Sequence, residues 1–203
     1  MTRAKWKISR VLVLAALFAW PAAHAAPASA PATQIIRFVP RSPGRGMLAG
    51  YCWTGSIAIA RPNAYRCMAG NEIFDPCFAG QDKGFVVCAP NPAKGDPGLA
   101  MKLTKPLPEP EGQAGDMPRE GGWLVELADG TTCSQRTGAG WEVEGKIVNY
   151  YCHSTQKGIE TDLLGEFDTG RPLWTAEKAS ITQTAGGPKL IKLEKAAIKR
   201  VWR

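Results

Sequence analysis

Short runs of strand-forming residues, separated by turns, make up most of the chain beyond residue 80. The clearest example is the run 123–127 (WLVEL), which an Asp-Gly turn separates from a second run at 131–133 (TTC). Asp-Gly between two such runs is typical of a β-hairpin, because the turn needs a backbone conformation that glycine adopts easily. The same reading of runs and turns predicts further strands at 84–88, 99–104, 163–167 and 173–176.

Three segments have a less regular pattern. Residues 61–70 favour a short helix, because Pro62 suits a first helical turn and Gly70 suits the position after a helix end. Residues 105–122 contain four prolines and predict a surface loop. The C-terminal segment 190–202 has partly helical apolar spacing, but its Val and Ile residues among lysines also suit an edge strand, which we favour. The chain is therefore predicted to be mainly β (β-rich α+β), a compact antiparallel sheet or small barrel with one short helix.

The first 25 residues have the pattern of a secretory signal peptide. Four basic residues and no acid precede an apolar run at 11–20, and small residues stand at 23 and 25, where a signal peptidase would read them. We expect cleavage after Ala25. The alternative is a retained membrane anchor, but a helix of ten residues spans only ~15 Å of a hydrocarbon core of ~30 Å.

Cleavage at that point leaves residues 26–47 as a Pro/Ala-rich leader and residues 48–203 as a single domain. We expect this mature chain in the periplasm or outside the cell, with no transmembrane segment.

Removal of the predicted signal peptide changes the charge balance. The formal net charge falls from +7 to +3, because four of the 25 basic residues leave and none of the 18 acids do. Residues 189–203 hold six basic residues and one acid, whereas residues 26–188 hold 15 basic and 17 acidic residues. A nearly neutral body does not suit nucleic acid, and no nucleic-acid partner is expected. The basic C-terminal segment suggests contact with an anionic surface or, alternatively, a strand edge protected by lysines.

Six cysteines follow the predicted signal peptide: Cys52, Cys67, Cys77, Cys88, Cys133 and Cys152. An even number of cysteines in an exported chain predicts disulfides, here three of them. Many connectivities are open, and we favour the local pairs 52–67, 77–88 and 133–152. The last pair has the strongest basis, because its cysteines lie in two strand-like segments that would stand side by side in a hairpin.

Five segments resemble a little-studied, cysteine-containing domain of bacterial exported proteins: CWTGS at 52–56, RPNAYRC at 61–67, GNEIFDPCF at 70–78, NYYC at 149–152 and RPLWT at 171–175. The resemblance covers roughly residues 48–203 and implies a fold unit and an export context. That group has no established activity, so the resemblance implies no catalytic residue.

No constellation of side chains predicts a catalytic, metal or cofactor site. His153 is the only histidine after the predicted signal peptide, and its position at a strand end beside Cys152 leads us to expect that it is not a catalytic base. The cysteines are committed to disulfides, so no metal site and no cofactor are expected. Four acids remain as candidates for a pair of hydrolytic carboxylates: Glu72, Asp75, Glu126 and Asp162.

Five tryptophans belong to the predicted mature chain: Trp53, Trp123, Trp141, Trp174 and Trp202. We expect Trp123 and Trp174 in the core and Trp141 on the surface, where flat aromatic rings can bind sugars. The sequence predicts an exported, non-catalytic envelope or secreted module that binds a protein or glycan partner. The alternative is a carboxylate-based hydrolase acting on an envelope polymer.

Overall fold

A computed structural model describes residues 31–40, 45–80, 82, 84–109, 121–153 and 157–203. The predicted signal peptide, with its cleavage site, lies outside these ranges, as do residues 110–120 of the proline-rich loop. The described residues form thirteen strands: β1 Gln34–Ile36, β2 Arg45–Gly55, β3 Ala64–Ala69, β4 Glu72–Ala79, β5 Phe85–Cys88, β6 Leu99–Leu103, β7 Leu124–Leu127, β8 Thr132–Gln135, β9 Glu142–Val143, β10 Lys146–Cys152, β11 Glu160–Asp168, β12 Thr175–Thr184 and β13 Gly187–Trp202.

Strands β2 to β6 form a closed barrel. Each strand is antiparallel to the next along the chain, and β2 pairs in parallel with β6 to close the ring. The parallel closure follows from the odd number of strands, because the first and last strands of such a meander run in the same direction. Two disulfides, Cys52–Cys67 and Cys77–Cys88, lie in the barrel core with Tyr65, Val86 and Met101.

The other strands form a larger sheet in the order β1-β13-β12-β11-β10-β8-β7, with β9 paired to β10. The long strand β13 pairs with β12 through residues 187–197 and with β7 through residues 198–202. Strand β13 therefore bridges the first and last strands of the series β7, β8, β10, β11 and β12. The core enclosed by these strands contains the Cys133–Cys152 disulfide together with Val125, Leu127, Tyr150, Leu163 and Ile198.

A third apolar cluster joins the barrel to the sheet within the single compact unit Pro31–Arg203. Phe38, Phe78 of β4 and Trp123 lie with their ring centroids 5.0–5.6 Å apart. Strand β1, which falls in the predicted leader, pairs in parallel with the end of β13 next to this cluster. Each aromatic pair contributes about 0.5–1.5 kcal/mol beyond the burial of its surface. Barrel and sheet therefore share a core.

The mainly β fold and the three local disulfides are confirmed, and in each disulfide the two cysteines stand opposite each other in neighbouring antiparallel strands. The strand favoured for the C-terminal segment is confirmed as β13. The helix predicted at 61–70 is wrong, because residues 64–69 form β3, which pairs with β2 and β4 on its two sides. Gly70 (φ 58°) provides the turn into β4 instead of a helix end. The short helix of the described chain is a 3-10 turn at Pro92–Lys94.

Among the described residues, no helix has the length and apolar character that crossing a bilayer requires.

Candidate binding surface

The tryptophans are distributed differently from the expectation. Trp123 is buried, as predicted, whereas Trp174 is only half-buried. Trp141 is also half-buried, because it packs on a small apolar core that includes Val148. Trp53 has the largest exposed fraction of the five, at 40%. The prediction of an exposed Trp141 is therefore wrong, and Trp53 is the tryptophan that offers its ring to solvent.

Trp53 lies on the outer face of the barrel, at an irregularity in the pairing of β2 with β3. The Arg66 guanidinium of β3 lies 5.8 Å from the Trp53 ring centroid. Arg66 Nη1 also donates to Asp75 Oδ2 at 3.2 Å and to the Thr137 carbonyl at 2.8 Å. These contacts hold the guanidinium in place and connect the barrel to the segment before β9.

Asp75, one of the four candidate acids, is fully buried beneath Arg66. Burial raises the pKa of its carboxyl, although hydrogen bonds from the Ser56 hydroxyl and the Ile57 amide and the charge of Arg66 oppose this shift. The Ser56 hydroxyl also accepts hydrogen bonds from the amides of Ala58 and Ile59. Ser56 and Asp75 therefore order the segment after β2 and are not free to meet a substrate.

Arg136 directly precedes Thr137 and lies between two aromatic rings. Its guanidinium is 5.4 Å from the Trp141 ring centroid and 5.5 Å from the Tyr151 ring centroid. Tyr151 on β10 is 49% exposed. Cation–π contacts of this kind contribute about 0.5–1 kcal/mol each at exposed positions. The rings orient the guanidinium, and Tyr151 keeps much of its own surface free.

A fourth ring and a third cation extend the same outer face of the barrel. Tyr51 precedes Trp53 by two residues on β2, and the Lys105 ammonium lies 3.9 Å from the Tyr51 ring centroid. The Tyr51 hydroxyl contacts the Met68 sulfur at 3.8 Å. We call the following residues the aromatic–cation surface: Tyr51, Trp53, Arg66, Lys105, Arg136, Trp141 and Tyr151.

Asp162 lies buried on β11, next to this surface, with 1% of its area exposed. It stands opposite Tyr151 in the sheet, and neither of its carboxylate oxygens has a hydrogen-bond partner of normal geometry among the described residues. Burial and the neighbouring Glu160 raise the pKa of Asp162 to about 6, while Arg136 and the Cys152 amide act in the opposite direction. The charge of Asp162 is therefore costly to the fold near neutral pH.

Asp162→Asn is expected to raise the free energy of unfolding by about 1–2 kcal/mol near neutral pH and to change it little at about pH 4. The folded chain holds the Asp162 proton up to a pKa of about 6, whereas an unfolded chain releases it near the ordinary value of 3.8. The parent therefore loses stability as the pH rises through this window, and the Asn variant does not. The full shift corresponds to at most ~3 kcal/mol, and solvent screening reduces it. Urea unfolding at several pH values measures the difference.

Glu126→Gln is the control for that experiment, because its effect has the opposite sign. Partial burial opposes ionisation of Glu126, but hydrogen bonds and charges from Arg200 and Lys199 hold its pKa below the usual range. Its loss should therefore destabilise the fold at neutral pH. An Asn variant at position 162 that is less stable than the parent at neutral pH would contradict the assignment of an unfavourable buried charge.

The remaining predicted residues do not assemble into a site. Glu72 is exposed on β4, and His153 is exposed at the end of β10, where its backbone amide donates to the Thr132 carbonyl at 3.0 Å. The sulfurs of Cys67, Cys77 and Cys88 lie within 4.8 Å of one another, but all three belong to disulfides.

Five of the six basic residues of the C-terminal segment lie on β13, and four of these five form ion pairs with acids. Lys195 contacts Asp168 at 2.9 Å, Lys192 contacts Glu194 at 2.6 Å, and Glu126 pairs with both Lys199 and Arg200. The positive charge that stands out in the sequence is thus compensated locally.

A surface depression of about 420 Å³ lies over β11, β12 and β13. Four acids line it: Glu166, Asp168, Glu177 and Glu194. Hydrogen bonding from Lys195 lowers the pKa of Asp168, and hydrogen bonding from Lys192 lowers that of Glu194. A glycosidase acid needs a raised pKa, so these two carboxylates do not suit that role.

The sequence analysis named Trp53 among the tryptophans without predicting its exposure, and it missed Tyr151 and the two arginines beside these rings. Strand alternation could have identified Tyr151, because Tyr150 and Cys152 point inward and place the residue between them outward. The Arg66–Thr137 contact joins residues that are 71 positions apart in the sequence, so no local sequence pattern predicts it.

The chain matches no protein-family model, no curated protein and no solved structure. The resemblance of its cysteine-containing segments to a domain of exported proteins stays a prediction.

Proposed function

We propose that this chain is an exported, non-catalytic module that binds a glycan polymer through the aromatic–cation surface. The observation that carries the proposal is the exposure of Trp53 and Tyr151, at 40% and 49%, on opposite sides of one hydrogen-bonded contact between barrel and sheet. The flat faces of aromatic rings suit the C–H faces of sugars, and guanidinium groups donate hydrogen bonds to sugar hydroxyls.

The arrangement favours a polymer over a single sugar. Rings lie on β2 and on β10, which belong to the barrel and to the sheet, and Arg66 connects the two parts. A chain of several sugars can contact both parts of the surface. Three disulfides agree with the predicted export, because such bonds persist in oxidising compartments.

The alternative function, a carboxylate-based hydrolase, has one observation in its favour. Glu160 and Asp162 are neighbouring acids on β11, and the pKa of Asp162 is raised to about 6. A general acid must reach the bond that it protonates, however, and only 1% of Asp162 is exposed. Binding without catalysis therefore fits the geometry better.

Trp53→Ala and Tyr151→Ala are each expected to weaken glycan binding about 10-fold, because each removes a stacking ring from the surface. Affinity electrophoresis and pull-down against peptidoglycan, chitin, pullulan and polygalacturonate measure the effect. Ile191→Ala is the matched control, since Ile191 is an exposed apolar residue of β13 at 53% exposure. The two ring variants are first shown to unfold at the parent's urea midpoint.

Two outcomes would overturn the proposal. The first is that the parent binds none of these polymers, or that both folded ring variants bind as tightly as the parent. The second is that the parent releases reducing ends from a polymer and Asp162→Asn does not, which would establish the hydrolase.

A further inference from the structure

We propose that the glycan bound by the aromatic–cation surface is anionic, with its carboxylate or phosphate groups held at the Lys105 and Arg136 ends of that surface. This inference rests on the proposed function and names the ligand class of the same site.

Three cations belong to the surface, and the two acids that approach them, Asp75 and Asp162, are buried underneath. A bound polymer therefore does not reach these two carboxylates. This layering gives a face that attracts anions although the mature chain as a whole is close to neutral.

The three cations differ in how much hydrogen-bonding capacity they have left for a ligand. Arg66 forms an ion pair with Asp75 at 3.2 Å and donates to a carbonyl, so its hydrogen-bonding capacity is partly used. Lys105 is exposed and has no ion pair with a described residue. Arg136 has no ion pair within 4.0 Å among the described residues. Its Nη1 is buried without a hydrogen-bond partner among them, so a new acceptor has to approach the other guanidinium nitrogens. These two cations are the ones that can take up new acceptors.

Each of these cations lies beside an aromatic ring of the surface. Lys105 faces Tyr51 on β2, and Trp53 lies two residues further along the same strand, beside Arg66. Arg66 contacts the carbonyl of Thr137, and the neighbouring Arg136 faces Tyr151. A polymer that stacks on these rings brings its charged substituents to both cations. Charge-assisted hydrogen bonds are roughly twice as strong as neutral ones, so acidic substituents add affinity where neutral hydroxyls add little.

The test compares polymers that differ in charge alone. Polygalacturonate and its fully methyl-esterified form share one backbone, and a phosphomannan and its dephosphorylated form supply a phosphate arm. We expect the parent to bind an anionic form at least 10-fold more tightly than its neutral counterpart, with the preference reduced at high salt. The arm with the larger preference identifies the anion.

Lys105→Gln should reduce the preference for the anionic form over its neutral counterpart several-fold. Lys192→Gln is the control, because Lys192 is an exposed lysine of β13 that is paired with Glu194. Neither substitution removes a buried group, so both variants are expected to fold.

Equal binding of anionic and neutral forms would overturn this inference and leave glycan binding intact, whereas loss of binding to all polymers would overturn the proposed function itself. Tighter binding of oligothymidine than of either anionic polymer would also overturn the proposed glycan binding, in favour of binding to single-stranded nucleic acid.

Discussion

Replacement of Gly122 by alanine is expected to lower the free energy of unfolding by about 2–5 kcal/mol. Gly122 precedes β7 with a φ of 72°, which costs a residue with a Cβ about 1–2 kcal/mol. A Cβ there would also collide with the Trp202 carbonyl oxygen and lie 2.8 Å from Val201 Cγ1. Since β13 holds both sides of the sheet together at this point, its backbone cannot move without cost elsewhere.

Gly130→Ala separates the two contributions. Gly130 has a φ of 84° in the β7–β8 turn, but a Cβ added at this position would meet no atom within 4 Å, so only the backbone cost of about 1 kcal/mol applies. Urea denaturation of parent and both variants measures the difference. Equal losses in the two variants would show that the close approach at Gly122 is relaxed in solution.

Opening the Cys133–Cys152 disulfide by a double substitution to serine is expected to cost about 2–5 kcal/mol. The cross-link joins cysteines separated by 19 residues and lies in the core of the sheet, with the two cysteines 0% and 4% exposed. The unfolded chain gains freedom when the link is removed, and the native core receives two hydroxyls in place of sulfur. Unfolding midpoints of oxidised parent and variant measure the loss.

Reduction of the double serine variant supplies the control. This variant keeps only the two barrel disulfides, so any stability that it loses on reduction comes from those two bonds. Non-reducing peptide mapping of the parent must show Cys133 linked to Cys152. A link from Cys133 to another cysteine, or a variant as stable as the parent, would contradict the expectation.

Local pattern predicted much of the sheet because its hairpins are formed by neighbours in sequence. The Asp129–Gly130 turn and the strands around it need little information from elsewhere. Strand β3 was not predicted because its conformation depends on pairing with β2 and β4. Its residue Cys67 stands opposite Cys52 of β2 on one side and Phe74 of β4 on the other. A propensity estimate for an isolated segment cannot register such pairing.

The candidate surface was less predictable than the fold. Trp53 lies at an irregularity in strand pairing, and Arg66 is held by a carbonyl in a distant segment. The pKa of Asp162 depends on burial that arises only after β10, β11 and β12 assemble. The sequence shows which residue types form the surface, but only the folded chain brings these residues together.

The disulfides follow one another along the chain without overlap: Cys52 with Cys67, Cys77 with Cys88, and Cys133 with Cys152. If the chain crosses a membrane from its N-terminus, as the predicted signal peptide implies, both members of each pair emerge before the next pair begins. An oxidase that joins cysteines in order of appearance then produces the native connectivity directly. The barrel sulfurs are close enough in the folded state for wrong links between the two pairs, yet sequential oxidation completes the first pair before those partners arrive. Export of this fold would then place little demand on a disulfide isomerase.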